Sequence, residues 1–194
     1  LMADPNVPDE VLLKLMESQK TLHRLKNIIQ ALLLISRIEN EQYLKNESVN
    51  LKALVQDVVE EIGDRAEMKE VSISTSLNGD AVVPKANYSL LYTMLFNVVN
   101  NAIKYNKQGG SISINGELKD SRYTLRVSDT GTGIAEEQLP KIFNRFKRTH
   151  APDGESHGLG LAIVKTVARF HRIKLDVASV PDEGTTFSFR FPKG

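Results

Sequence analysis

The 194-residue chain has no cysteine, which excludes disulfides, thiol nucleophiles and cysteine-ligated zinc. Its histidines, His23, His150, His157 and His171, lack the paired spacing of a helical metal site. No hydrophobic run is long enough to cross a bilayer. The longest, Ala31-Leu32-Leu33-Leu34-Ile35, falls far short of the ~20 residues required. An excess of one charge is also missing: Lys plus Arg (25) nearly equals Asp plus Glu (24), for a net charge of +1. No nucleic-acid surface and no contact with an acidic membrane are therefore expected. There is no internal repeat, no low-complexity tract and no signal-peptide pattern. Leu1-Met2 reads as a cloning scar, so a piece of a longer protein is expected.

What is present is an ordinary globular composition, 41% hydrophobic and 25% charged. This length makes one domain plus a short extra element, and folding it removes ~70% of the unfolded chain's surface. Residues 8–43 read as one helix of roughly 35 residues, about 50 Å long. Leu15, Leu22, Leu25, Ile29, Leu32 and Ser36 form its coiled-coil-like stripe. It is too long for a small domain alone and is expected to pair with another helix. Residues 45–50 are polar and break the pattern, with 47–50 read as a linker. Further helices are predicted over 51–69, 87–105 and 159–171, with a short helical piece near 140–146. Strands are predicted over 71–77, 111–115, 122–129, 173–180 and 185–191. The order long helix, then α-β-α-β-β-α-β-β predicts an α+β fold. It would be a two-layer α/β sandwich with an antiparallel-rich sheet covered on one face by helices.

Four patterns carry chemistry. Asn97, Asn101 and Lys104 share one helix face. Two carboxamides and an ammonium there can hold a metal ion and phosphates, although such a face is also commonly mere solvated surface. Asp129-Thr130-Gly131-Thr132-Gly133-Ile134 follows a strand. Its carboxylate can accept a hydrogen bond from an exocyclic amine, and its glycines admit a flat ring, or the stretch is simply a tight turn. Gly158-Leu159-Gly160-Leu161 opens a helix whose unpaired N–H groups attract phosphate, or whose glycines allow close packing. Gly184-Thr185-Thr186-Phe187 begins the last strand from a turn. Their occurrence together in one order is more telling than any one alone.

With these motifs, residues 51–194, about three-quarters of the chain, resemble the catalytic ATP-binding domain of two-component sensor histidine kinases, a Bergerat-type fold. Asn97–Tyr105 resembles the asparagine box and Asp129–Ile134 the first glycine box. Ile142–Phe146 resembles the phenylalanine box, Gly158–Val164 the second glycine box and Glu183–Phe187 the last. The resemblance implies that Asp129 binds the adenine amine of ATP, with Thr185 nearby. It implies that Asn101 coordinates Mg²⁺, while Asn97 and Lys104 are the catalytic pair at the phosphate end. Tyr105 would lie near the ribose and phosphates. Gly131, Gly133, Ile134, Gly158, Leu159 and Gly160 would shape the nucleotide pocket, and residues 147–157 would form an ATP lid. The second glycine box often begins with an extra glycine where this chain has Ser156, which leaves the lid's conformation open.

Hydrolytic relatives of this superfamily carry a glutamate base where this chain has Asn97, and an amide cannot accept a proton near neutral pH. The resemblance therefore implies transfer to a protein acceptor in preference to efficient hydrolysis. Residues 1–46 resemble the second helix of a dimerisation hairpin, with the acceptor histidine expected upstream of Leu1. An alternative acceptor is His23, in His23-Arg24-Leu25-Lys26-Asn27. That assignment would take residues 51–69 away from the domain and expose a face of its sheet. Another alternative is a non-catalytic nucleotide-binding regulatory module of the same fold. The implied partners are a response regulator receiver domain and, in the full-length protein, a second copy as homodimer through the leucine stripe. The fragment would be cytoplasmic, in a protein that can be anchored in the inner membrane. His150, His157 and His171 read as lid or surface residues.

Overall fold

Helix α1 spans Asp9–Glu39 in a computed structural model that describes residues 8–79, 81–147 and 158–193. Pro8 precedes it with φ −59°, and Asp9 and Glu10 occupy the positive end of its dipole. The helix ends four residues before the predicted position 43, where the Asn40 N–H closes onto the Ser36 and Ile38 carbonyls. Its packing face also differs from the predicted stripe. Ala31, Leu34, Ile35 and Ile38 sit against the core, whereas Leu15, Leu22, Leu25 and Ile29 are exposed. Only the C-terminal part of α1 lies on the domain, so burial there selects a face next to the leucine stripe.

The segment expected to be a linker is a strand. Strand β1 (Glu47–Asn50) pairs antiparallel with β3 (Val82–Ala86), which the sequence pattern passed over. Val49 meets Val83 in this two-stranded ribbon, and both are buried. Between these strands, Asn50 caps α2 (Leu51–Met68) by accepting the Lys52 and Ala53 N–H groups. Leu54, Val55, Val58 and Ile62 of α2 are buried, and the helix packs on α3 (Tyr88–Lys104) and on β2 (Ser72–Leu77). Residues 51–68 thus cover the sheet, which argues against His23 as the acceptor on a first hairpin helix.

The main sheet adds β4 (Ser111–Lys119), β5 (Arg122–Asp129), β6 (Lys174–Val180) and β7 (Gly184–Arg190), with α4 (Gly160–Phe170) crossing between β5 and β6. Strand order is β2-β4-β5-β7-β6, parallel only between β2 and β4. Ile112, Ile114, Leu125, Val127, Phe187 and Phe189 are buried on the helix side. Ser113, Asn115, Arg126, Ser128 and Ser188 alternate with them on the open side. This is the expected two-layer sandwich. The short helical piece is a 3₁₀ turn at Leu139–Lys141.

His171 is buried, contrary to the surface expectation. Its Nδ1–H donates to the Val167 carbonyl (3.0 Å), and its Nε2 accepts the Asn87 N–H (3.0 Å) at the start of α3. Burial holds its pKa below the ordinary value despite the Val167 contact, and nearby Lys45 lowers it further. The unfolded chain then binds a proton that the folded chain refuses. The stability contributed by neutral His171 is present above about pH 6.5 and is lost as pH falls below it. Urea unfolding at pH 7 and pH 5.5 should show this loss. His171→Gln should lower stability at pH 7 by about 1–3 kcal/mol and flatten the pH dependence. An equally steep dependence in the variant would refute the assignment.

Candidate functional site

A cavity of about 860 Å³ opens between α3, α4, the loop after β5 and the start of β7. Every site residue predicted from the sequence lines it except Gly131. The apolar side of α3 (Leu91, Leu95, Val98, Ala102) is buried. That burial turns Asn97, Asn101 and Lys104 toward the cavity. Tyr105 follows at the helix end, with the Lys104 ammonium 5.7 Å from its ring centroid.

Asp129 ends β5, on the same side of the strand as buried Val127. Its Oδ1 accepts the Gly131 N–H at 2.9 Å, so Gly131 acts from behind the lining. Burial raises the Asp129 pKa, while the Gly131 and Thr185 backbone N–H groups pull it down. Thr185 is set by a residue that the sequence reading missed. The Ser179 hydroxyl donates to the Gly184 carbonyl (2.8 Å) and so accepts from the Thr185 hydroxyl (2.9 Å). Ser179 also accepts the Ile134 N–H at 2.8 Å, joining two cavity-lining residues.

Asn97 spends its amide N–H on the Thr93 carbonyl, at 2.8 Å. Its Oδ1 faces the start of α4, where a Cβ at position 160 would fall 2.7 Å from it. A larger residue at position 160 would therefore have to displace the Asn97 amide. The Asn101 carboxamide has no hydrogen-bond partner among the described residues and lines the cavity.

Cations that the sequence pattern does not single out come from α2. Arg65 donates to Asn100 Oδ1 (3.1 Å). Lys69 donates to the Ile103 carbonyl (2.9 Å) and to that of Lys104, at the negative end of the α3 dipole. Both line the cavity, as do Asn27 and Ala31 of α1. Nothing in the sequence separates Arg65 and Lys69 from other charges on a helix's polar face. Arg145, in the phenylalanine-box segment, pairs with Glu39 of α1, its Nη2 donating to both carboxylate oxygens at 2.8 and 3.0 Å. Of the predicted lid, Lys147 lines the cavity. Residues 148–157, with His150, Ser156 and His157, lie outside the described residues. The Phe146 N–H donates to the Gly158 carbonyl at 2.9 Å.

Asp129 is the sole acidic side chain among the described lining residues, facing a set that includes Arg65, Lys69, Lys104 and Lys147. Such a cavity suits a ligand that combines a hydrogen-bond donor with negative charge. No group of three or more His, Asp, Glu or Cys that could hold a metal exists among the described residues. A divalent cation would find the neutral Asn101 oxygen here and would take its anionic ligands from the bound molecule. This donor set fits Mg²⁺ carried on phosphates.

Residues 86–194 match the family described as histidine kinase-, DNA gyrase B- and HSP90-like ATPases. The chain belongs to this family. Within it, the chain carries a catalytic ATP-binding domain of the two-component sensor histidine kinase kind, in the Bergerat fold. It is 34% identical over 173 residues to the sensor histidine kinase RppB of Synechocystis, covering 87% of this chain and 38% of that protein. The Acinetobacter baumannii histidine kinase AdeS has a similar structure, with TM-score 0.75 and 25% identity over 97% of this chain and 87% of that one. Another similar structure is full-length ShkA, solved in complex with AMPPNP. Its TM-score is 0.77, with 25% identity, covering 95% of this chain and 38% of that one. The chain spans between about a fifth and a half of the length of the curated relatives it matches.

The Gly160 contact generates a test. Gly160→Ala should displace the Asn97 amide and weaken Mg-ADP binding by about tenfold, within the usual cost of overpacking. Calorimetric titration measures it, and an unchanged affinity would show that the Asn97 amide does not need its present place.

Proposed function

We propose that this chain is the catalytic portion of a sensor histidine kinase. It holds Mg-ATP and delivers the γ-phosphate to an acceptor histidine on another hairpin helix, from which a response regulator receiver domain takes it. The observation that carries this reading is a cavity that brings one carboxylate, the sole one among its described lining residues, together with the α3 amides and ammonium. In phosphoryl transfer the protein's work is positioning and charge neutralisation, which needs this kind of set and no nucleophile.

In this reading Asp129 accepts the adenine amine, and Thr185 and Ile134 are fixed beside it through Ser179. Lys104 neutralises phosphate charge and Asn101 supplies a metal ligand. Mg²⁺, when bound, draws charge from the phosphate oxygens. Asn97 replaces the base that a hydrolytic site needs. Its amide donates to Thr93 and cannot take a proton from water, so transfer is favoured over hydrolysis. Residues 51–194 are the catalytic domain, and α1 supplies one helix of the dimerisation hairpin, its exposed Leu15, Leu22 and Leu25 facing a partner copy. No helix among the described residues is long and apolar enough to cross a membrane. Use of ATP sets the site of action in the cytoplasm.

Titration with Mg-ADP or a non-hydrolysable ATP analogue tests the reading. One saturable site is expected, weakened by about tenfold to a hundredfold in Asp129→Asn, the range for losing a hydrogen bond to a charged group. No saturation by the folded, unmutated chain would refute it. Supplied with a separate acceptor hairpin and ATP, the chain should label the hairpin's histidine. Nucleotide binding without any labelling would point instead to a regulatory module.

A further inference from the structure

We infer that Asn106 is a positioning residue: with Thr130 it clasps the end of α3 to the Asp129 loop and fixes the span that a bound nucleotide bridges. This rests on the reading of the cavity as a nucleotide site.

Asn106 directly follows Tyr105, is 6% exposed and is not part of the cavity lining. Its Nδ2 donates to the Ser111 carbonyl (3.1 Å), and its Oδ1 accepts the Lys107 N–H (3.0 Å) and the Thr130 hydroxyl (3.3 Å). Thr130 stands between Asp129 and Gly131. Its Oγ1 in turn accepts the Ser111 N–H (2.9 Å), and its own N–H donates to the Ser111 carbonyl (3.1 Å). One residue before Asn106 and two after Thr130, the Thr132 N–H donates to the Tyr105 carbonyl at 3.0 Å. The two backbones are so close that a Cβ at Gly131 would fall 2.4 Å from the Tyr105 oxygen.

The chemistry of the amide is used on both sides. One buried side chain must donate and accept together, which neither an apolar residue nor a carboxylate can do. The clasp also has a particular address. It joins the residue after the phosphate-side group Lys104-Tyr105 to the residue after the adenine-side carboxylate Asp129. A ligand that touches both ends is sensitive to an error of about 0.5 Å in their separation. A ligand that lacks phosphates is not held to that span.

The test compares Mg-ADP with adenosine by titration, well below the unfolding midpoint of each variant. Asn106→Ala and Thr130→Val should each weaken Mg-ADP by about fivefold to tenfold and adenosine by no more than about twofold, the ADP loss corresponding to one hydrogen bond. Thr130→Ser, which keeps the hydroxyl, should restore ADP affinity. The double variant should lose less than the product of the single losses, because both act through one contact. Thr130 is exposed, so Thr130→Val keeps the test open if Asn106→Ala fails to fold. Equal weakening of both ligands, or unchanged ADP affinity in a folded variant, overturns the clasp and leaves the nucleotide reading standing. No ADP binding by the unmutated chain overturns both.

Discussion

Burial of one side of α3 against the sheet decides where its other side points, and the site depends on that. Val98 and Ala102 are held in the core, so Asn97, Asn101 and Lys104 are presented without any further device. The same burial fixes the helix end, where Lys69 occupies the last carbonyls and the loop after β5 docks. Core and chemistry are thus set by a single rotation about one helix axis. A slip of one residue would swing the amides by ~100° and dismantle both.

Much of this was legible in the sequence because two periods dominate it. Alternation marked the strands from Ser111 to Asp129 and from Gly184 to Arg190, and the 3.6-residue repeat marked α2, α3 and α4. The site residues lay where those elements end, next to glycines. The ribbon of β1 and β3 escaped because a four-residue strand with one buried side chain, Val49, has no alternation to detect. His171 escaped because Arg172 beside it looks like surface. Its burial comes from the start of α3, far away in the chain. Ser179 and Asn106 escaped for a related reason: their roles are hydrogen bonds to loops distant in sequence, and no local pattern encodes those.

Helix α1 shows the limit of a hydrophobic stripe as a guide to packing. The stripe identified the helix correctly but not its contact face within one chain. Ala31, Leu34, Ile35 and Ile38 meet the domain, and Leu15, Leu22 and Leu25 of the stripe remain exposed. A helix can carry two apolar seams with different destinations, and periodicity reports only that both exist.

The ion pair between Glu39 and Arg145 connects the last residue of α1 to a segment two residues from Lys147 at the cavity. Both side chains are partly exposed, at 37% and 48%, and such a pair is worth about 0.2–1 kcal/mol, close to thermal energy. Mechanically it is a detent rather than a weld. It adds a small, salt-sensitive preference to the seat that buried Ile35 and Ile38 already give α1 on the domain.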